Sequence, residues 1–326
     1  MPAIAPDIHS LSPLSFRDAL TGGEVTREDA RAMFATAASF KRGPAGCREV
    51  LRGRSVVLVF EKPSLRTRLS FEVGVAKLGG HAVYYGMTTE RIGERESVHD
   101  YARNLERWVD AIVARTYSHE VIEQMAQFAR VPVINALSDE FHPCQALADL
   151  FTLQEHAGPL AGRRLAYIGD GNNVCCSLVL LATTLGLRVT VITPEGFEPP
   201  EEVRALASSA AANSGGAFTV TSDPGAVRGS DAVYTDAWTS MGFEHEAQRR
   251  RRVFEPYQVN AQLMATAGPD TLFMHCLPAH RGEEVTDEVI DSPRSIVFDQ
   301  AENRMHVQNA LLAHLLCAGE KPADRR

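Results

Sequence analysis

The chain has 326 residues, a formal net charge of −8 and 44% hydrophobic residues. Its length favours two domains, and its acidic balance argues against an extended nucleic-acid surface, so any anion site must be a local group of arginines. No apolar run is long enough to span a bilayer, and the first residues lack the pattern of a secretion signal. The six cysteines do not have the spacing of a disulfide framework. We therefore expect a cytoplasmic protein.

Apolar strands alternate with helical segments after an N-terminal helical region. In the first half, strands are predicted at 55–61, 81–85, 110–114 and 131–136. A helix is predicted over 69–78, where Gly79-Gly80 ends it, and a longer one runs from about 145 to 156. Gly158-Pro159 marks the predicted border between two domains.

The second half repeats the alternation, with predicted strands at 164–169, 188–192, 217–221, 232–236, 271–275 and 295–299. Because such alternation produces parallel sheets covered by helices, we predict an α/β fold of two doubly wound parallel-sheet domains bridged by helices. We expect residues 1–150 to form the first domain and 151–302 the second, with the C-terminal helix, 303–320, packing back on the first domain. The arginines at 249–252 are interpreted as a solvated helix face.

The segment Ser64-Leu65-Arg66-Thr67 follows the first strand and opens a helix. Ser64 occupies the position of a helix N-cap, where free backbone N–H groups meet the positive end of the helix dipole. Arg66 adds a planar guanidinium and Thr67 a hydroxyl. Because an apolar strand precedes the segment and matching elements follow it, we interpret it as a phosphate-binding site rather than an ordinary capped helix.

Further polar and reactive side chains follow the ends of predicted strands, where doubly wound sheets bind their ligands. They are Arg115, His142, Gln145, Asn173, Asp236, Ser240, Met241, Cys276 and Leu277. Taken singly, a histidine or cysteine here is more often structural, and only their shared position indicates a function. The turn that begins at Gly169 lacks the third glycine of a dinucleotide fingerprint, and no acidic residue follows the next strand, which argues against a nicotinamide-dependent oxidoreductase.

Four segments, in this order and spacing, resemble the aspartate/ornithine transcarbamylase family over nearly the whole chain. They are Phe60-Glu61-Lys62-Pro63-Ser64-Leu65-Arg66-Thr67-Arg68, Phe141-His142-Pro143-Cys144-Gln145, Asp236-Ala237-Trp238-Thr239-Ser240-Met241-Gly242 and His275-Cys276-Leu277-Pro278. The last two are typical of the ornithine carbamoyltransferase branch. The resemblance implies transfer of the carbamoyl group of carbamoyl phosphate to the δ-amine of L-ornithine, giving L-citrulline and phosphate in arginine metabolism. It also implies a homotrimer, or a multiple of trimers, without metal or organic cofactor.

The resemblance implies that the first domain binds carbamoyl phosphate and the second ornithine. The residues implied for carbamoyl phosphate are Ser64, Leu65, Arg66, Thr67, Arg91, Arg115, His142, Gln145, Cys276, Leu277 and Arg304. Those implied for ornithine are Asn173, Asp236, Ser240 and Met241, and the catalytic residues are Arg66, Arg115, His142, Asp236 and Cys276. These residue types suit the chemistry, because the two arginines and His142 offer positive charge and donors to a developing oxyanion. The dianionic phosphate can accept the amine proton, so Cys276 is not interpreted as a nucleophile.

Leu65 and Arg91 depart from the family pattern. Leu65 replaces a threonine, so one hydroxyl donor to the phosphate is absent. Arg91 stands where many ornithine enzymes have glutamine and the aspartate branch has lysine. In this family the loop of Arg91 reaches into the neighbouring subunit's site, so Arg91 either completes that site or is an ordinary surface arginine.

Pro63 is more similar to the aspartate and acetylornithine branches, so the acceptor amine has alternatives. N-acetylornithine, putrescine and lysine are the candidates, whereas Asp236 favours an acceptor with a free α-amino group. A binding or regulatory protein that has kept the fold without activity is a further alternative, disfavoured by the intact set of candidate residues.

Overall fold

The computed structural model describes residues 11–43, 47–87, 91–239 and 244–318. The chain divides into two compact units. The first consists of residues 1–148 together with 303–326, and the second consists of residues 149–302. The division falls inside a helix, earlier than the Gly158-Pro159 border suggested by the sequence. Two helices run from one unit into the other, one over Pro143–Ala157 and one over Val297–Cys317.

The first unit is built on a parallel sheet flanked by helices. In chain order its elements are α1 (Arg27–Arg42), β1 (Ser55–Phe60), α2 (Leu65–Lys77), β2 (His81–Gly86), α3 (Val98–Leu105), β3 (Ala111–Arg115), α4 (His119–Phe128), β4 (Val133–Leu137) and the start of α5 (Pro143–Ala157). The described strands lie in the order β2-β1-β3-β4. Phe60 is paired with Arg115, so the carboxyl ends of β1 and β3 lie side by side. This pairing brings the Ser64 segment next to Arg115.

The second unit also contains a parallel sheet. Its elements are β5 (Arg164–Ile168), α6 (Asn173–Thr184), β6 (Arg188–Ile192), α7 (Glu201–Ser214), β7 (Ala217–Thr221), β8 (Ala232–Thr235), α8 (Ala247–Phe254), α9 (Ala261–Ala267), β9 (Leu272–His275), α10 (Asp287–Ile290) and the start of α11 (Val297–Cys317). The described strands lie in the order β7-β6-β5-β8-β9. Because β8 is paired with both β5 and β9, the carboxyl ends of β5, β8 and β9 are neighbours at one edge of the sheet.

The C-terminal half of α11 packs on the first unit, as predicted. His314 Nε2 lies 2.9 Å from the Thr36 hydroxyl of α1, and the Cys317 thiol donates to the Val50 carbonyl at 3.1 Å. These contacts and the two parallel sheets confirm the predicted α/β architecture. In the part of the chain that the structure describes, no helix combines the length and apolarity needed to cross a membrane.

The strand predicted at 295–299 is wrong. Only Ser295 makes an isolated bridge, to Phe273, and the Ile296 N–H donates to the Phe273 carbonyl at 3.0 Å. From Val297 the chain is already helical. The apolar run Ile296-Val297-Phe298 has strand-like composition, but the helical pattern that follows extends backwards over it, because tertiary context overrides weak strand propensity.

Candidate active site

Ser64 caps helix α2, as its sequence position predicted. Its φ of −157° is extended, and its Oγ accepts the N–H of Thr67 at 3.3 Å. The Ser64 hydroxyl also lies 3.0 Å from the Thr67 hydroxyl. The helix begins at Leu65, whose side chain is 72% exposed. The start of α2 therefore has the geometry of an anion site, with hydroxyls and the positive helix end together.

Three guanidinium groups lie near this helix start, on Arg66, Arg115 and Arg304. Arg304, on the part of α11 in the first unit, is buried and donates from Nη2 to the Thr67 hydroxyl at 2.7 Å. Burial, followed by the charges of Arg304 and Arg66, lowers the pKa of Arg115 to about 10. Positive groups held this close together are stabilised by an anion, so this cluster is arranged for a phosphate.

His142 lies beside the same arginines, directly before helix α5. It is buried, and burial together with the charges of Arg304 and Arg115 holds its pKa well below the ordinary value. The imidazole is therefore neutral near pH 7 and offers a hydrogen bond instead of positive charge. Gln145, also buried, lies in the first turn of α5, where its N–H donates to the His142 carbonyl. The donor expected from the sequence is present, whereas the charge of His142 is not.

Arg91 is exposed and lies over an aromatic ring of its own chain. Its Cζ is 4.4 Å from the centre of the Tyr117 ring, and its backbone N–H donates to Glu94 at 3.0 Å. A cation over a ring in this range is weakly attracted to it. Sequence reasoning did not identify Tyr117, since a lone tyrosine after a strand carries no distinctive signal.

In the second unit, three donors hold the carboxylate of Asp236, which follows β8. Oδ1 accepts the Ala237 N–H at 2.7 Å and the Cys276 thiol at 2.9 Å, and Oδ2 accepts the Asn172 amide at 2.7 Å. The Asn172 side chain also caps α6 by accepting the Val174 and Cys175 N–H groups. Asn172, which the sequence analysis left out, therefore orients Asp236 from the neighbouring strand end.

Cys276 follows β9 and is a hydrogen-bond donor here. Burial and the neighbouring Asp236 raise the pKa of its thiol well above the usual value. A thiol that stays protonated is a poor nucleophile, because the thiolate is the reactive form. Cys276 can therefore orient an amine or a carbonyl, but its environment does not suit covalent catalysis.

A buried histidine–glutamate pair supports the backbone at Leu277. The Leu277 N–H donates to His275 Nδ1 at 2.8 Å, and His275 Nε2 lies 3.3 Å from Glu284 Oε1. Leu277 has a φ of 58°, in the left-handed region that few non-glycine residues adopt. These contacts hold Leu277 and the adjacent Cys276 in one arrangement.

Of the remaining residues expected to bind ornithine, the structure describes only Asn173. Asn173 is the first residue of α6, half-buried, and its Oδ1 lies 2.9 Å from the Val174 N–H. Ser240 and Met241 lie outside the described residues.

Arg250 corrects the interpretation of the 249–252 run as a solvated face. It is 7% exposed and donates to Asp170 at 2.6 Å and to the Trp238 carbonyl at 3.0 Å. These partners belong to the turn before α6 and to the segment after Asp236. A charge run in sequence gives no sign of which member is buried, so only the structure could identify Arg250.

Among the residues that the structure describes, two groups of side chains have ligand atoms within 4.8 Å of one another, Asp236-His275-Cys276 and His280-Glu283-Glu284. In the first, both His275 nitrogens contact other groups and the thiol is protonated. In the second, Glu284 Oε1 accepts the His280 N–H at 2.5 Å and Glu283 pairs with Arg251 at 2.5 Å. A metal ion would have to break these internal contacts, so the donors do not form a prepared metal site.

Comparison with known proteins relates both units to one enzyme family. The model for the carbamoyl-P binding domain of aspartate/ornithine carbamoyltransferases matches residues 17–155, and the model for the Asp/Orn binding domain matches residues 161–315. The anabolic ornithine carbamoyltransferase of Pyrococcus furiosus is 51% identical over 303 residues, or 92% of this chain and 96% of the relative.

Solved structures agree with the sequence comparison. The ornithine carbamoyltransferase structure from Pyrococcus furiosus aligns with a TM-score of 0.89 and 51% identity, covering 94% of this chain and 98% of that one. An acetylornithine transcarbamylase complexed with acetylcitrulline aligns with a TM-score of 0.83 and 33% identity, covering 92% and 99%. The resemblance seen in the sequence motifs is confirmed: the chain belongs to the aspartate/ornithine carbamoyltransferase family.

Proposed function

We propose that the protein is an ornithine carbamoyltransferase, which transfers the carbamoyl group of carbamoyl phosphate to the δ-amine of L-ornithine. The observation that carries this proposal is the convergence of Arg66, Arg115 and Arg304 on the Ser64-capped end of α2, next to a neutral histidine. A dianionic phosphate fits the arginines, and a carbonyl oxygen fits the donors beside them. High identity to enzymes of this name supports the acceptor.

In this proposal the first unit binds the phosphate through Ser64, Thr67 and backbone N–H groups, and the positive charge of the arginines attracts it. The Leu65 N–H contributes while its exposed side chain does not. Arg115, neutral His142 and Gln145 lie near the carbamoyl group, and Arg304 ties α11 to the Thr67 hydroxyl. Oxyanion stabilisation is usually the largest single contribution to catalysis, so we expect these preorganised donors to contribute most to the rate enhancement.

In this proposal the second unit binds ornithine through Asn173, Asp236, Ser240 and Met241. The Asp236 carboxylate is a charged partner for the α-amino group, and the Cys276 thiol and Leu277 lie near the reacting end. The neutral δ-amine attacks the carbamoyl carbon, the bond from carbon to the bridging phosphate oxygen breaks, and the departing phosphate takes the amine proton. No protein nucleophile is needed, which agrees with the protonated state of Cys276.

We further propose that the protein is a homotrimer. Exposed apolar side chains support an interface between copies, because Leu65, Leu69 and Val73 are exposed along α2 and Val83 and Tyr85 are exposed on the edge strand β2. Contiguous exposed apolar residues commonly mark an interface. Light scattering after size exclusion should give a mass of three chains, or a multiple of three, and a monomer would contradict the proposal.

A cytoplasmic location and a role in arginine biosynthesis complete the proposal. All six cysteines are buried thiols, as expected in a reducing compartment. The relative described as anabolic supports the biosynthetic direction.

An assay with a panel of amines tests the function. Purified protein is incubated with carbamoyl phosphate and either L-ornithine, N-acetyl-L-ornithine, putrescine or L-lysine, and the ureido product is quantified. L-ornithine should give the highest kcat/KM. Preference for N-acetylornithine would favour the acetylornithine branch, whose solved structure this chain also matches.

A further inference from the structure

Glu61 is a buried carboxylate at the end of β1 that none of the roles above uses. It is 7% exposed and lies just before the Ser64 segment. Its Oε1 accepts the N–H of Ile92 at 2.8 Å, and its Oε2 accepts the N–H of Tyr117 at 2.7 Å. One carboxylate therefore holds two chain segments that are distant in sequence.

Both segments carry an arginine that is proposed to act on the phosphate. Ile92 directly follows Arg91, and Tyr117 follows Arg115 at the end of β3. The backbone N–H of Glu61 also donates to the Arg115 carbonyl at 2.9 Å. Hydrogen bonds to an ionised acceptor are stronger than neutral ones, so Glu61 holds the end of β3 by both its main chain and its side chain.

The Tyr117 ring joins the same two segments a second time. Lys62 Nζ lies 4.5 Å and Arg91 Cζ 4.4 Å from the ring centre. Burial, followed by the charge of Arg115, lowers the pKa of Lys62, while Asp139 and Glu61 act in the opposite direction. The negative charge of Glu61 thus compensates the cations collected around Tyr117.

We propose that Glu61 is a positioning residue for carbamoyl phosphate. Its carboxylate fixes the Arg91 turn and the end of the Arg115 strand, and so sets the affinity for the substrate without touching it. A bare carboxylate near this site would repel a phosphate, but here both oxygens accept main-chain N–H groups. This inference rests on the proposed function and adds the residue that organises its arginines.

Two variants separate this role from general stability. Glu61→Gln keeps the size of the side chain but leaves one oxygen acceptor, so one of the two N–H groups loses its partner. Ile92→Pro deletes the Ile92 N–H and also replaces a side chain that packs in the apolar core of the first unit, so its KM is read together with its melting temperature. The Glu94 N–H donates to the Arg91 carbonyl at 3.1 Å and Gly93 has a φ of 96°, as in a type II turn, where proline is favoured at the position of Ile92.

The expected result is a selective loss of carbamoyl phosphate affinity. Glu61→Gln should raise the KM for carbamoyl phosphate about tenfold, since a hydrogen bond to a charged group is lost, and leave the KM for ornithine within about twofold. Ile92→Pro should raise the same KM, and the double variant should be little worse than Glu61→Gln alone, because both act through one contact. Ile92→Pro alone tests the Arg91 arm if Glu61→Gln does not fold.

Asp29→Asn is the matched control. Asp29 is also a buried carboxylate of the first unit that accepts two main-chain N–H groups, from Ser15 at 2.9 Å and Thr26 at 3.1 Å. This control should lower the melting temperature without changing the KM for carbamoyl phosphate. Variants of Glu61 and Ile92 that lose only stability, or change both KM values equally, would overturn the inference. Wild-type protein without carbamoyl transfer to ornithine would instead contradict the proposed function.

Discussion

Arg66 is less buried than Arg115 and Arg304, the other two arginines near the start of α2. Arg115 and Arg304 are buried, and Arg304 is bonded to Thr67, whereas Arg66 is half-buried at the start of α2. In the described residues no acceptor is hydrogen-bonded to its guanidinium. Arg66 is therefore the side chain of the cluster with the most capacity left for a ligand.

Arg66→Lys should reduce kcat/KM for carbamoyl phosphate by roughly 10²- to 10³-fold while leaving the fold intact. Lysine keeps the charge but lacks the planar fork that bonds a phosphate through two donors. Steady-state kinetics and circular dichroism measure the two effects. Leu65→Thr is the neighbouring comparison and should leave activity equal or slightly higher. Near-normal activity of Arg66→Lys would contradict the assignment of this segment.

His142 makes stability depend on pH. In the unfolded chain this histidine takes up a proton near the ordinary histidine pKa of 6.5, whereas folded His142 stays neutral to well below that value. Between these two values the unfolded state binds more protons, so the free energy of unfolding falls as the pH is lowered through about 6.5. His142→Asn should therefore make the melting temperature fall less steeply between about pH 7 and pH 5.

The exposed His81 provides the comparison for this measurement. The slope of melting temperature against pH is measured for His81→Asn under the same conditions as for His142→Asn. If His142→Asn had the same slope as the wild type, the neutral state assigned to His142 would be incorrect.

At the scale of elements, α8 is tied to two other segments through Arg250. The Arg250 guanidinium bonds Asp170 and the Trp238 carbonyl, and its Nε lies 3.2 Å from Glu246. Arg250→Ala should lower the free energy of unfolding by about 3 kcal/mol, because it leaves the largely buried carboxylate of Asp170 without its cation. Urea unfolding measures the change.

Arg252→Ala is the matched substitution within the same run. Arg252 is exposed on α8, so its loss should change stability by no more than about 0.5 kcal/mol. Equal effects of the two substitutions would show that Arg250 does not hold the segments together.

Elements were predictable where one periodicity dominates. The strands at 188–192 and 217–221 were predicted at their observed bounds, and β1 differs by one residue, because each is a short apolar or β-branched run between turn residues. The strand at 295–299 failed because a short apolar run fits a strand and a buried helix start equally well. The choice between strand and helix is decided only by the contact of this segment with β9 and by the helix that follows it.

At the scale of the whole molecule, the role of Arg91 depends on assembly. We predict that it completes the active site of an adjacent subunit, so that neither Arg66→Ala nor Arg91→Ala homo-oligomers are active. Oligomers dissociated and reassembled from the two variants would contain some sites with both native arginines. Mixing should therefore restore part of the carbamoyl transfer activity.

The same mixing experiment has two contradicting outcomes. If Arg91 served its own subunit, every mixed site would lack one arginine and no activity would return. If Arg91→Ala were fully active alone, the contact with Tyr117 would be its only role, and the loop would be ordinary surface. Reassembly of each variant with itself controls for the treatment.

The sequence by itself determined the alternation of strands and helices, the Ser64 cap and the positions of the candidate groups at strand ends, because these follow from local periodicity and capping. The motif resemblance extended this to the family and to distant residues such as Arg304. The tertiary structure alone decided that His142 is neutral, that Cys276 donates to Asp236, that Arg250 is buried, and that Glu61 holds two segments. Each of these depends on burial and on partners far away in the chain, and neither is encoded in the local pattern.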